Sequence, residues 1–162
     1  MTGSVLNGVS TLSSGIAAWR STGANIWTPF FVSQLARAYA KLGDFREASR
    51  CIKEAIHAVK TTKEKWCEAD ISRIAGEIAL ISPERDAVKA EAHFERALSV
   101  ARQQQAKSWE LRAAMRLARL WRDQGKVRQA RELLAPVYGW FTEGFDTRDL
   151  KEAKAPLGEL AA

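Results

Sequence analysis

The 162-residue sequence predicts an all-α protein: a right-handed superhelix of antiparallel helix pairs with about eight helices. Two repeating patterns and one missing pattern predict it. Segments opening at Trp27, Trp66 and Trp109 superimpose, because a large aliphatic, an Ala and a bulky apolar residue follow at fixed offsets in each: Leu35, Ala36 and Tyr39; Ile74, Ala75 and Ile78; Leu117, Ala118 and Trp121. On a helix the first and last of these lie one turn apart on one face, and the Ala between them admits a neighbouring helix. A second, small–large–small stripe follows: Ala48, Ile52 and Ala55; Ala90, Phe94 and Ala97; Ala130, Leu134 and Val137. Gly8, Leu12 and Gly15 carry the same stripe near the N-terminus, so the register recurs at steps of about forty residues. The large side chain fills the space that the small ones leave between close-packed helices. Alternation of period two is nowhere sustained, so no strand is expected.

Taken in chain order, a helix over 5–20 reads as the second half of a unit whose first half is missing, so the chain is expected to begin inside a longer array. Three full units follow at 27–61, 65–104 and 108–142, with helices at 27–42, 44–61, 65–81, 85–104, 108–124 and 126–142. Gly43 and Gly125 each sit just past a helix end, where the chain turns through a left-handed conformation that glycine adopts freely. The middle unit uses Ser82-Pro83 instead, with Pro83 expected in the opening turn of the next helix. A last helix over 147–160, carrying Leu150, Ala153, Leu157 and Leu160, reads as a cap on the open end of the stack. Pro156 and Gly158 are expected to fray or bend its final turn. Together the units make one domain spanning 1–162.

Apolar residues at 46% and charged residues at 27% fit a folded, water-exposed chain and exclude a disordered one. No run of eighteen apolar residues is present, and the N-terminus lacks the basic and apolar regions of a secretory signal. Cys51 and Cys67 fit no metal spacing and read as small apolar residues of a reduced, cytoplasmic protein. His57 and His93 fall in different units with no ligand-type residue at metal spacing, so neither a metal site nor acid–base chemistry is expected. There is no phosphate-binding loop of the Gly-x-x-x-x-Gly-Lys type and no Gly-x-Ser-x-Gly elbow. The sequence therefore predicts neither an enzyme nor a cofactor.

These spacings resemble the tetratricopeptide repeat family, through Val32, Leu35, Ala36, Tyr39, Gly43, Ala48, Ile52 and Ala55, and again through Ala114, Leu117, Ala118, Trp121, Gly125, Ala130, Leu134 and Val137. The middle unit keeps Ala90, Phe94 and Ala97, and the step of about forty exceeds the family's usual 34 residues, which implies longer helices. The runs 90–106, 108–125 and 134–154 further resemble the C-terminal region of proteobacterial adenylate/guanylate cyclase-like proteins that carry a signalling-ATPase module. That resemblance implies a partner-binding or sensory role in a bacterial signalling protein. The cyclase and ATPase modules themselves are absent from the sequence.

The family resemblance implies a concave groove lined by the first helix of each unit. Its candidate lining is Phe30, Ser33, Arg37 and Lys41; then Ala69, Ser72, Arg73 and Gly76; then Arg112, Met115, Arg116, Arg119 and Arg122. A formal charge of +6 and a pI near 9.6 agree with the arginine stripe, which can take carboxylates bidentately. An acidic protein or peptide is the expected partner, and the competing reading is a solvated face whose arginines pair with nearby glutamates. Eukaryotic chaperone adaptors of the family it resembles clamp a terminal carboxylate with Lys and Asn; here Ser33, Arg37, Arg73, Arg112 and Arg116 stand at those places without Asn, so that activity is not expected. RNA binding through the basic helix is the alternative, weakened because polar base-reading residues do not recur in register. Trp27, Trp66 and Trp109, in identical register, are expected to pack at the joints between units rather than stack on bases. The apolar stripe Val5, Val9, Leu12 and Ile16 of the first helix is expected to find cover by self-association.

Overall fold

A computed structural model describes residues 2–160. It contains eight helices among those residues: α1 (Thr2–Ser21), α2 (Thr28–Lys41), α3 (Phe45–Thr62), α4 (Glu68–Ile81), α5 (Ala87–Gln103), α6 (Lys107–Asp123), α7 (Val127–Gly139) and α8 (Arg148–Glu159). Each helix packs against the next in the chain, which makes α2/α3, α4/α5 and α6/α7 antiparallel pairs. Among the first helices of the pairs, α2 also touches α4, α4 touches α6 and α6 touches α8. The second helices α3, α5 and α7 make no comparable contact with one another. The stack is therefore curved, with α2, α4, α6 and α8 on its inner side.

The small–large–small stripe is what lets the pairs close. Ala48, Ala55, Ala90, Phe94, Ala97, Ala130 and Leu134 are completely buried. Phe94 illustrates the fit: it lies over Gly76 of α4 so closely that a Cβ there would stand 2.5 Å from its ring. Gly8 and Gly15 of α1 carry the same register, but nothing lies within 4 Å of where their Cβ atoms would be. Elsewhere α1 is covered within the chain, since Ile16 is buried and Val9 and Leu12 pack on the core formed with α2, α3 and α4. Val5, the remaining residue of that apolar stripe, is half-buried and lies outside this core.

The turns largely follow the sequence. Gly43 and Gly125 adopt φ of 81° and 79°, and the Asp44 carboxylate accepts from the Glu47 N–H at 3.0 Å to cap α3. In the middle turn the expectation for Pro83 fails: it lies in the turn, and α5 begins only at Ala87. Asp86 sets that start, accepting from the Lys89 N–H at 2.8 Å, a stronger start signal than a proline further upstream. Pro156 does not break α8, which continues to Glu159 with Pro156 buried. Proline deprives the Glu152 carbonyl of its helical partner, and the Arg119 Nη2 of α6 donates to that carbonyl at 3.3 Å. No helix among the described residues is long and apolar enough to cross a membrane.

Candidate functional site

The concave face is built from α2, α4, α6 and α8, and two adjoining clefts open on it. The first, of 490 Å³, gathers Arg37, Arg73, Arg112, Met115 and Arg116 against Asp149 and Glu152 of α8. The second, of 350 Å³, shares Arg37 and Arg116 and adds Lys41, Arg85 and Arg119 above a floor that includes Ile74, Ile78 and Leu120. Charged side chains thus stand on apolar ground. Such a mixture takes amphipathic chains rather than small ions.

Most of the arginines are tied into a lattice of carboxylates from neighbouring first helices. Arg73 is only 6% exposed; its Nε donates to Asp70 at 2.9 Å and its Nη1 to Glu77 at 2.6 Å. Burial works against the Arg73 charge most strongly, but Asp70 and Glu77 outweigh it and hold the guanidinium above its ordinary value. Gln34 of α2 donates to the other Asp70 oxygen at 3.3 Å, and Arg116 of α6 pairs with Glu77 at 2.5 Å, so the network ties three helices together. Arg112 pairs with Asp149 at 2.7 Å, and Arg122 pairs with Asp123 and with Glu159. Of the five arginines in 112–122 and 73, Arg119 alone has no carboxylate partner among the described residues. Burial first, then the charge of Arg116, pushes its guanidinium below the ordinary arginine value.

The structure brings Arg37, Lys41, Arg73, Arg112, Met115, Arg116 and Arg119 to the two clefts, with Arg122 beside them on α6. Five expected lining residues lie elsewhere. Ser33 is fully buried, its hydroxyl donating to the Phe30 carbonyl at 2.7 Å, and Ser72 is buried within α4. Phe30 packs against Trp66 and Phe31, away from the clefts. Ala69 and Gly76 are also core positions. The reason is the curvature of the inner face: tightly stacked first helices leave only a narrow strip of each exposed. The sequence reading missed the acidic members Asp70, Glu77, Asp149, Glu152 and Glu159. The Asp70, Arg73 and Glu77 spacing of three and four residues was the signal, since helix neighbours at that spacing pair.

Outside the groove, Trp27 meets Trp66 at 4.6 Å between ring centres and Trp66 meets Trp109 at 6.4 Å, both edge-on. The three tryptophans therefore do join consecutive units. Cys51 and Cys67 are buried free thiols, and burial pushes Cys67 up to about 12. His93 is held below the ordinary histidine value by burial and then by Lys89. No cluster of three metal-ligating side chains occurs among the described residues.

With the groove and stack in place, comparison with solved structures gives a full-length likeness. A kinesin light chain-type protein of nearly identical TPR-like repeats from Podosopora anserina matches with a TM-score of 0.70 and 18% identity, over 98% of this chain and 78% of that one. The fold is TPR-like. A single-residue variant of the same protein matches with a TM-score of 0.72 and 18% identity, over 98% of this chain and 77% of that one. At that identity the likeness concerns the path of the backbone. No protein-family model matches the chain. No curated protein sequence matches it either.

Proposed function

We propose that this TPR-like stack is a polypeptide-binding module whose concave groove holds an extended or helical segment bearing carboxylates and apolar side chains. The observation that carries this reading is the surplus of cations around the second cleft. Glu77 is occupied by Arg73 and Arg116, and Asp123 by Arg122. Arg37, Lys41, Arg85 and Arg119 then remain without a carboxylate partner among the described residues, over a floor of Ile74, Ile78 and Leu120. A guanidinium that is half-buried and unpaired gains from a bidentate carboxylate more than an exposed one does. The resemblance of 90–154 to cyclase-like signalling proteins supports a finer version: a C-terminal segment of a bacterial, cytoplasmic regulator whose groove receives an ATPase or cyclase module.

The test is fluorescence anisotropy with a labelled peptide of alternating Leu and Glu, beside the same peptide with Gln in place of Glu. The acidic peptide should bind the wild type, and Arg37→Glu and Arg119→Glu should each weaken it by about tenfold or more, as loss of a charge-assisted contact predicts. These two positions are chosen because reversing Arg73, Arg112 or Arg116 would also break ion pairs inside the fold. Equal affinity of wild type and both variants, or equal affinity for the Gln peptide, refutes the reading.

A further inference from the structure

We infer that the edge of the stack at the N-terminal ends of α2, α4 and α6 is a second docking surface, for a partner polypeptide that presents apolar side chains interspersed with carboxylates. Five of the six tryptophans form one row along this edge. Trp19 Nε1 donates to the Ile26 carbonyl at 2.8 Å; Trp27, Trp66 and Trp109 follow in edge-on contact; and Lys107 Nζ lies 5.6 Å from the Trp140 ring centre. Trp27 is 45% exposed, Trp66 39% and Trp140 57%, and Ile26 stands open beside them at 55%. Side chains of this kind, clustered and left in water, mark a contact surface, and tryptophan dominates the energetics of protein interfaces.

Two hollows sit at the ends of the row. One, of 640 Å³, lies between α1, α2 and α3 beside Ile26, and the hydroxyl of the buried Thr28 on its wall has no hydrogen-bond partner. The other, of 630 Å³, is formed by Arg102, Lys107, Trp140 and Phe141. Charge decides what fills them. Lys60, Lys63 and Lys65 are exposed along the edge and have no carboxylate partner among the described residues. Glu64 is turned to the Trp27 N–H at 3.1 Å, and the buried Glu110 serves both Arg102 and Lys107, one carboxylate between two cations. The edge is therefore positive and apolar at once, so its complement carries carboxylates among apolar groups.

The same geometry argues against the two other anionic partners. Trp66 is met by Trp27, by Trp109 and by Phe30 at 5.3 Å, so rings of the chain itself already compete for the contacts a stacked nucleic-acid base would make. At the Trp140 end, Glu143 and Asp146 are exposed and would face the phosphates of an anionic bilayer. A protein chain can place its own cations against those two carboxylates.

The surface is independent of the concave groove, and the test separates them. A random-peptide phage library is selected on the immobilised wild-type protein, and enriched peptides are titrated against the double variant Lys63→Glu/Lys65→Glu, against Trp140→Ser and against the groove variant Arg37→Glu. All these positions are at the surface, and circular dichroism confirms that each variant keeps its helices. Peptides combining Leu, Phe or Trp with Asp or Glu, weakened about tenfold by the edge variants but not by Arg37→Glu, are expected. If every enriched peptide binds the edge variants as tightly as the wild type, the inference fails. It fails equally if single-stranded RNA or phosphatidylserine vesicles lose binding in the edge variants while no peptide does.

Discussion

Replacing Gly76 by alanine sets two known effects against each other, and the structure says which wins. In an open helix interior the change is favourable by about 0.8–1.0 kcal/mol, because alanine has less backbone freedom to lose. At Gly76 the new methyl would lie 2.5 Å from Cε1 and 2.7 Å from Cδ1 of Phe94, a ring with no exposed surface and so no room to retreat. Forcing an extra methyl into a packed core costs about 1–3 kcal/mol, and this contact lies in the tight part of that range. Gly76→Ala is therefore expected to destabilise by about 1–2 kcal/mol net, lowering the midpoint of thermal unfolding by about 2–8 °C for a chain of this size. Urea titration followed by circular dichroism gives the free energy directly. The double variant Gly76→Ala/Phe94→Leu supplies the control, since removing part of the ring should recover stability beyond the sum of the single effects. Gly8→Ala and Gly15→Ala supply the contrast, because nothing lies within 4 Å of either new methyl and both should stabilise α1. If Gly76→Ala gains stability as those two do, the close packing of α4 against α5 described above is wrong.

Three other outcomes follow from the same geometry. Arg73→Met leaves the buried Asp70 without its guanidinium, and a loss of about 3–5 kcal/mol is expected in the unfolding free energy from urea titration, whereas Arg148→Met, at an exposed pair, should leave it unchanged. Burial opposes the Glu110 charge, yet Lys107 and Arg102 outweigh it and hold the carboxyl below its ordinary value of 4.5. The pairing therefore stabilises the fold above that value and is lost as pH falls through the lower folded value. The stability difference between wild type and Glu110→Gln should shrink below pH 4.5 and be constant from there to neutrality. A difference that persists undiminished at the acid end contradicts the ion-pair account. The thiols of Cys51 and Cys67, both raised by burial, should resist a disulfide reagent at pH 8 until denaturant is added, with reaction in the native state counting against their place in the core.

The stacking was legible because it is written in side-chain volume. Ala48, Ala90 and Ala130 recur at one register, and each proves to be completely buried where two helices close. Gly43 and Gly125 were legible for a similar reason, since few residues other than glycine accept the φ that those turns require. The groove was less so. Its cations were recognised, but pairs such as Arg112 with Asp149 and Arg122 with Glu159 join residues a whole unit apart, and which carboxylate meets which arginine depends on the curvature of the stack. The same curvature buries Ser33 and Ser72, which a flat projection of helix faces leaves open. Arg119, without a carboxylate among the described residues, donates instead to the Glu152 carbonyl, which Pro156, forty residues less three along the chain from Arg119, leaves free by its missing N–H. A proline placed for one helix determined the hydrogen bonding of another.

Helix α4 contributes to all three buried clusters: Ala69 to the smallest, Ile71, Ile74, Ala75 and Ile78 to the N-terminal one, and Ala79 to the C-terminal one. It acts as the keystone of the arch. Peeling can begin at α1 or α8 and run inward, but neither route releases α4 until its neighbours on that flank have gone. Its amide protons should consequently be the last to exchange with heavy water, and force applied to the two ends should meet its greatest resistance there.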